Sequence, residues 1–368
     1  MYIHQRREWP SFTWNSDTLL DILGEVRNKQ GRLVGKMENL GVALREEAVL
    51  ESLTTEVLKS NEIEGEFLDA DQVRSSIALK LGMNAGGVSK ADRSVEGVVD
   101  VMLDATTNYQ APLSADRMFG WHAALFPTGR SGMSKITTAA WRDVPMQVVS
   151  GGMGREQVHF EAPAADKVPG DMDLFINWFN KIDAADPVLK AGIAHLWFVT
   201  IHPFDDGNGR LARTIADMQL ARSDKSSQRF YSMSAQIRIE REAYYEILEK
   251  TQRSDELDIT AWLKWFLLCF SRALNQTENL LENVIQKAEY WSVFNNKTLN
   301  DRQRLMLNKL MDGFEGKLNS SKWAKMTKTS HDTALRDIQG LVDQQVLVQE
   351  SSGGRSTSYR LIELPEKQ

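Results

Sequence analysis

The sequence predicts a mainly α-helical protein in which short strands occur in two places only. Apolar residues recur at helical spacing through most of the 368 residues. Strand-prone runs are confined to the neighbourhood of residues 147–160 and 346–362, each beside a glycine-rich turn. At 42% hydrophobic and 26% charged residues, the composition suits a globular chain with a sizeable core.

Helical character is read at 17–42, 44–64, 70–81 and 93–109, with a break at Asn84 to Gly87. In the second of these, Leu50, Leu53, Val57 and Leu58 fall on one side. Ser60 and Glu64 are four apart and share a face, and Gly65 suits the end of the helix. Glu56, Glu62, Glu64 and Glu66 could equally be an ordinary solvated acidic face. Residues 140–162 read as a hairpin: Gln147 to Ser150 and Val158-His159-Phe160 around the turn at Gly151-Gly152. Segments 189–201 and 210–222 read as buried helices, and 238–253 as another. A helix near 276–292 then leads to the tail. There, helices at 301–312, 320–327 and 330–344 precede strands at 346–350 and 358–362, the pattern of a winged helix-turn-helix. The expected divisions are 1–110, a central region 111–275, a connector 276–299 and the tail 300–368.

The chemistry concentrates in His202-Pro203-Phe204-Asp205-Asp206-Gly207-Asn208-Gly209-Arg210, followed by Arg213. This stretch joins two helices and opens onto the N-terminus of the second, where free N–H groups favour anions. Gly207 and Gly209 allow close backbone approach to a phosphate, and Arg210 and Arg213 lie one turn apart. Taken singly, Gly-Asn-Gly is a turn and the two aspartates are helix-end charges. Taken jointly, they form an anion seat with a base beside it.

These residues match the Fic pattern, His-x-Phe-x-(Asp/Glu)-Gly-Asn-Gly-Arg-x-x-Arg, at every specified position, so the chain resembles that family. The resemblance implies a helical Fic core with a β-hairpin flap, and transfer of AMP from ATP to a Ser, Thr or Tyr hydroxyl. His202 would be the general base, an imidazole being suited to proton transfer near neutral pH. Asp206 would hold Mg²⁺. Asn208, Arg210 and the amides of Gly207 and Gly209 would stabilise the α- and β-phosphates, and Arg213 the γ-phosphate. Phe204 would pack inward. Ser60-Asn61-Glu62-Ile63-Glu64-Gly65 resembles the family's inhibitory motif, in which the glutamate, here Glu64, pairs with Arg213. The hairpin resembles the flap that positions a target segment, with Val148, Val149, Ser150 and Gly151 bordering the nucleotide. Tyr244 and Gln252 would line the adenine and ribose pocket, although the family places asparagine where Gln252 stands. Tyr245 is expected in the core. The opening of the chain, with Trp9-Pro10 and Phe12-Thr13-Trp14, resembles a module attached to many bacterial Fic proteins.

The remaining expectations concern partners and setting. The lone Cys269 excludes an intramolecular disulfide and suits a reducing cytoplasm. The start lacks a secretory apolar segment, and 262–270 is too short to span a bilayer. A net charge of −6 argues against a chain that coats nucleic acid as a whole. In the tail, Lys322, Lys325, Lys328 and Arg355 could meet phosphates, against Asp332 and Asp337, so a DNA partner and a protein partner both stay open. Self-modification, target docking on the flap and a homodimer are expected. A nucleotide-responsive DNA-binding regulator and a hydrolase removing AMP are the competing functions. His195 is expected to be a hydrogen-bonded core residue.

Overall fold

The computed structural model describes residues 1–83, 91–150, 157–182, 185–294, 297–311, 314, 316–350 and 357–363. The expected break at Asn84 to Gly87, the hairpin turn with Gly151, and Arg355 lie outside them. Two compact units emerge, Met1–Glu278 and Asn279–Gln368.

The first unit opens on α1 (Ser16–Glu38), whose first turn is capped by the Asn15 side chain accepting from Thr18 N at 3.0 Å. The chain then breaks before Gly41, the cap of α2 (Val42–Ile63), so 17–42 is not one continuous helix. Asp69 caps α3 (Ala70–Lys80), and α4 (Arg93–Thr107) and α5 (Ala115–Leu125) follow. Two antiparallel hairpins come next. The first pairs β1 (Arg130–Ser131) with β2 (Ser134–Lys135). The second pairs β3 (Gln147–Ser150) with β4 (Gln157–Glu161), the register running from Gln147 opposite Glu161 to Ser150 opposite Gln157. Then α6 (Val168–Asn180), α7 (Pro187–Ile201) and α8 (Asn208–Asp224) form the centre.

Every residue of α7 from Val188 to Ile201 is buried, which is why its sequence is apolar on all sides rather than on one stripe. It packs along α8, and Trp262 crosses it by donating its indole N–H to Gly192 O at 2.8 Å. The helix expected over 238–253 is two helices, α9 (Met233–Ile239) and α10 (Arg241–Gln252). They turn at Glu240 (φ −100°, ψ 27°), whose carboxylate is fixed by Arg272 at 2.5 Å. Neither glycine nor proline stands at this turn, so helical periodicity alone does not place the break. The expected connector helix is likewise part of a longer one: α11 (Thr260–Phe294) runs 35 residues without Gly or Pro to interrupt it.

The second unit contains α12 (Asp301–Met311), α13 (Ser320–Thr327), α14 (His331–Asp343) and the antiparallel pair β5 (Leu347–Gln349) and β6 (Tyr359–Leu361). A bridge from Leu318 to Tyr359 ties the segment before α13 to this hairpin. Trp323, Met306, Ile338 and Leu341 fill its own core. Asn319 and Ser330 cap α13 and α14 by accepting from Lys322 N (2.8 Å) and Thr333 N (3.3 Å). Among the described residues, no helix is long and apolar enough to cross a membrane.

Candidate active site

His202 stands at the end of α7 in the left-handed conformation (φ 52°, ψ 58°). A non-glycine residue there is strained, and the strain is held by its surroundings. Arg142 supplies most of them. Its N–H and guanidinium donate to Pro203 O (2.9 Å) and His202 O (2.8 Å), and the guanidinium also binds Val144 O and Pro163 O. Nδ1 of His202 sits 3.1 Å from Val199 O. A proton on Nδ1 donates to that carbonyl and leaves Nε2 as the basic nitrogen. Burial and the charge of Arg142 lower the imidazole pKa, partly offset by Val199 O, Glu64 and Asp206. The neutral base is therefore the resting form at neutral pH.

The loop after His202 is closed by its own side chains. Asn208 accepts from Phe204 N at 3.0 Å and donates to Phe204 O at 2.8 Å, so its amide shapes the loop. Phe204 is fully buried, as expected, and stacks on His122 at 4.2 Å. His122 in turn contacts Asp206 O and Ala139 N. Gly207 has φ +79°, and a Cβ there would meet the Phe126 ring at 2.9 Å, so only glycine fits. Asp206 takes Gly207 N at 2.6 Å and the Ser131 hydroxyl, while Asp205 takes Thr137 N at 2.8 Å. The N–H groups of Asn208, Gly209 and Arg210 belong to the first turn of α8, where no helical acceptor exists.

A carboxylate already lies against that turn. A Cβ added to Gly209 would come within 2.2 Å of Glu64 Oε1. The same oxygen accepts from Arg213 Nη2 at 2.8 Å, and Arg213 also binds Ser60 through Oγ (3.0 Å) and the main-chain oxygen (2.9 Å). The pairing expected between Glu64 and Arg213 is therefore present, although Glu64 and Glu66 both keep one side open to solvent. Glu62 pairs with Lys59, Glu66 with Arg210, and Glu56 is buried, accepting from Ser232 Oγ and Ser234 N. Gly65 follows the helix with φ +82°, as its position implied.

Arg210 does not project freely. Its Nη1 donates to Glu66 at 2.6 Å and Asn61 at 3.3 Å, and its guanidinium lies 4.9 Å from the Phe126 ring centre. Tyr244 is 1% exposed, with its hydroxyl 2.9 Å from His195 Nε2. His195 is thus the hydrogen-bonded core residue expected, its pKa pushed down to about 3 by burial and Arg213. Tyr245, expected in the core, is instead 36% exposed beneath Arg241, 5.1 Å from its ring. Two neighbours on one helix point differently, and only one can face α7. Gln252 is buried and donates to Thr200 Oγ1 at 3.2 Å.

The hairpin β3–β4 is fastened on the β4 side. Arg253 donates to His159 O and Val158 O, Glu249 meets His159 Nδ1 at 2.7 Å, and His4 contacts Glu161 O. The strand carrying Val148 and Val149 is the other one, and Val149 is 47% exposed. Sequence reasoning assigned no role of their own to Arg142, Ser131, Asn61 and Glu66, although Asn61 stands inside the inhibitory motif and Glu66 in the acidic stretch. All four meet the site through contacts made far along the chain. A separate cavity of about 570 Å³ is lined by Tyr109, Phe179, Gln219 and Arg222 and by none of the motif.

The fold and this site define a helical protein with a partly buried histidine beside an anion seat at a helix N-terminus. Residues 112–220 match the Fic/DOC family, and the chain carries a domain of that family. Residues 2–83 match a domain of unknown function, DUF4172. A protein adenylyltransferase Fic from Aedes aegypti is 30% identical over 133 residues, 34% of this chain and 25% of that protein. A probable protein adenylyltransferase from Aquifex aeolicus is 30% identical over 105 residues, 28% of this chain and 33% of that protein. The chain thus matches a quarter to a third of the length of these curated relatives. A Fic family protein from Desulfovibrio desulfuricans G20 shares the fold at TM-score 0.53 and 20% identity, over 97% of this chain and 99% of that one. A Fic domain containing signaling protein from Bacteroides thetaiotaomicron VPI-5482 does so at 0.52 and 18%, over 71% and 96%.

Proposed function

We propose that the protein is an adenylyltransferase that moves AMP from ATP to a hydroxyl side chain of a protein, and that Glu64 restrains it. The observation that carries this reading is the Glu64 carboxylate seated against Gly209 and Arg213, where an anion belongs. A ligand phosphate would take that place on the α8 N–H groups. Nε2 of His202 would accept the proton of the attacking hydroxyl as its oxygen bonds to the α-phosphorus and pyrophosphate departs. Arg210 and Arg213 would balance the phosphate charge.

The donors near Asp206 fit a Mg²⁺ ion, which takes one or two carboxylates and completes its shell with phosphate oxygens and water. Asp206 and the Ser131 hydroxyl beside it would hold the ion, which neutralises charge on the phosphates. An extended target segment would add to the β3 edge of the hairpin, since β4 is fastened to α10.

Incubation with Mg²⁺ and α-labelled ATP tests the reading, label on protein being the readout for wild type, Glu64→Gly and Glu64→Gly/His202→Ala. The pH dependence follows from the imidazole. Its lowered pKa means that the base form persists to more acid pH than for an ordinary histidine and is lost only below that lowered value. Transfer by Glu64→Gly is therefore expected to be complete at pH 7, with its acid limb centred below about 6.5. A limb centred above 7 would remove His202 as the base.

A second reading concerns the tail, for which we propose a winged helix that binds duplex DNA. Of the two aspartates that counted against this in the sequence, Asp332 stays exposed, while Asp337 is buried and paired with Arg302 at 2.7 Å, so it is withdrawn from the exposed side of α14. Lys325, Lys328 and Arg336 remain exposed on α13, the turn and α14. Fluorescence anisotropy with labelled duplex should show salt-sensitive binding that Lys325→Glu/Lys328→Glu weakens at least about tenfold. Equal affinity in both proteins would leave the unit a protein-contact module.

A further inference from the structure

We infer that Glu66 is a second brake, which holds Arg210 as Glu64 holds Arg213. A polyphosphate would then reach the seat only by displacing two carboxylates. The inference rests on the adenylyltransferase reading for the identity of the ligand alone.

The end of α2 creates the geometry. Gly65 N donates to Glu62 O at 3.1 Å, and Glu66 N donates to Asn61 O at 3.0 Å. With Gly65 at φ +82°, this is the paired 5→2 and 6→1 pattern of a Schellman turn. Such a turn folds the residue after the glycine back against the last helical turn. Glu66 is thereby brought beside Asn61, and both give an oxygen to Nη1 of Arg210, at 2.6 and 3.3 Å. One six-residue segment thus delivers a carboxylate to each motif arginine.

Both arginines are poised for more than these contacts. Arg210 is 5% exposed and Arg213 3%, yet Nε of the first and Nη1 of the second are buried without a partner among the described residues. Buried donors of this kind are costly, and an incoming phosphate has oxygens to satisfy them. The two arms differ in strength. The Glu66 side chain is 46% exposed and its pair is open to water and salt, whereas Glu64 is 31% exposed and wedged against Gly209. Glu66 is the looser latch, the one to open first. Arg241 steadies the same turn by donating to Ile63 O at 2.9 Å.

The test measures ATP affinity by calorimetry with Mg²⁺ present, using His202→Ala throughout so that turnover does not enter. Into it go Glu66→Gln, Glu64→Gly, both together, and Gly65→Ala, which strains the turn without changing any charge. Glu66→Gln should tighten ATP binding about three- to tenfold, the range expected for removing a half-exposed competing charge. The double variant should exceed either single one. Gly65→Ala should also tighten binding while lowering Tm, because a left-handed residue other than glycine is disfavoured. Were Glu66→Gln to leave the affinity unchanged both with Glu64 present and with Glu64→Gly, the second brake would be overturned. Tighter binding with no labelling of protein in any His202-bearing variant would uphold the brake and sink the transferase reading. Labelling released by Glu64→Gly but indifferent to Glu66→Gln, with flat affinities, would sink the brake alone.

Discussion

Glu64→Gly is expected to raise AMP transfer by on the order of 10²-fold, because it empties the anion seat and frees Arg213 together. In the resting protein that arginine is 3% exposed and bound by Glu64 Oε1 and by Ser60 through two oxygens. The ion pair with Glu64 must break before a phosphate can take the glutamate's place. Removing the carboxylate leaves a buried guanidinium uncompensated, which typically costs about 3–5 kcal/mol when nothing replaces the partner. Nucleotide phosphate is that replacement, so the loss to the empty protein becomes a gain in affinity for ATP. The resting variant should accordingly melt lower than wild type and recover on adding ATP with Mg²⁺. Label on protein from α-labelled ATP is the direct measure. Equal labelling of wild type and variant would mean that Glu64 is a structural tie rather than a restraint.

His202→Ala in the Glu64→Gly background should reduce transfer by about 10²–10⁴-fold, the usual contribution of a positioned general base. ATP affinity should stay within about threefold, because a residue acting only in the transition state adds little to ground-state binding. The contacts of His202 agree with this division. It reaches Val199 O through Nδ1 and Arg142 through its main-chain oxygen, and neither contact involves Arg210 or Arg213. His202→Gln would separate loss of the base from loss of volume, since glutamine fills the space without accepting the proton at neutral pH. Activity surviving in both variants would move the base elsewhere. A large loss of ATP affinity would show that the imidazole shapes the seat itself.

Much of the site was legible because the residues that line the start of α8 are contiguous. Gly207, Asn208, Gly209, Arg210 and Arg213 must be neighbours to line one helix start, so their types and spacing carry the signal. The pairing of Glu64 with Arg213 was legible only by resemblance, since a glutamate four residues after a serine is common on any helix. What escaped the sequence was the second pairing. Glu66 lies one residue beyond Gly65, and nothing local distinguishes it from Glu62, which pairs instead with Lys59. Arg142 escaped for the same reason: besides nearby Val144, its carbonyl partners are Pro163 and the end of α7, distant in sequence. The fold followed a similar division. Helix α2 was marked by its apolar side and the glycine at its end, and α7 and α8 by the buried runs on either side of the motif loop. The break at Glu240, where the chain meets Arg272 of another helix, has no local mark, and the exposure of Tyr245 depends on which side of α10 meets α7.

By itself, then, the sequence determined a helical chain with two strand regions, a histidine-bearing loop and a glycine-containing helix start that carries two arginines. Each of these rests on neighbours within a few residues, where periodicity, glycine and charge act locally. Only the tertiary structure decided that the seat is taken. Glu64 and Glu66 are about 150 residues away from Arg213 and Arg210 along the chain, and meet them because α2 packs beside α8. Whether a carboxylate so far off is solvated or seated depends on which surfaces the core brings together. No pattern of adjacent residues encodes that.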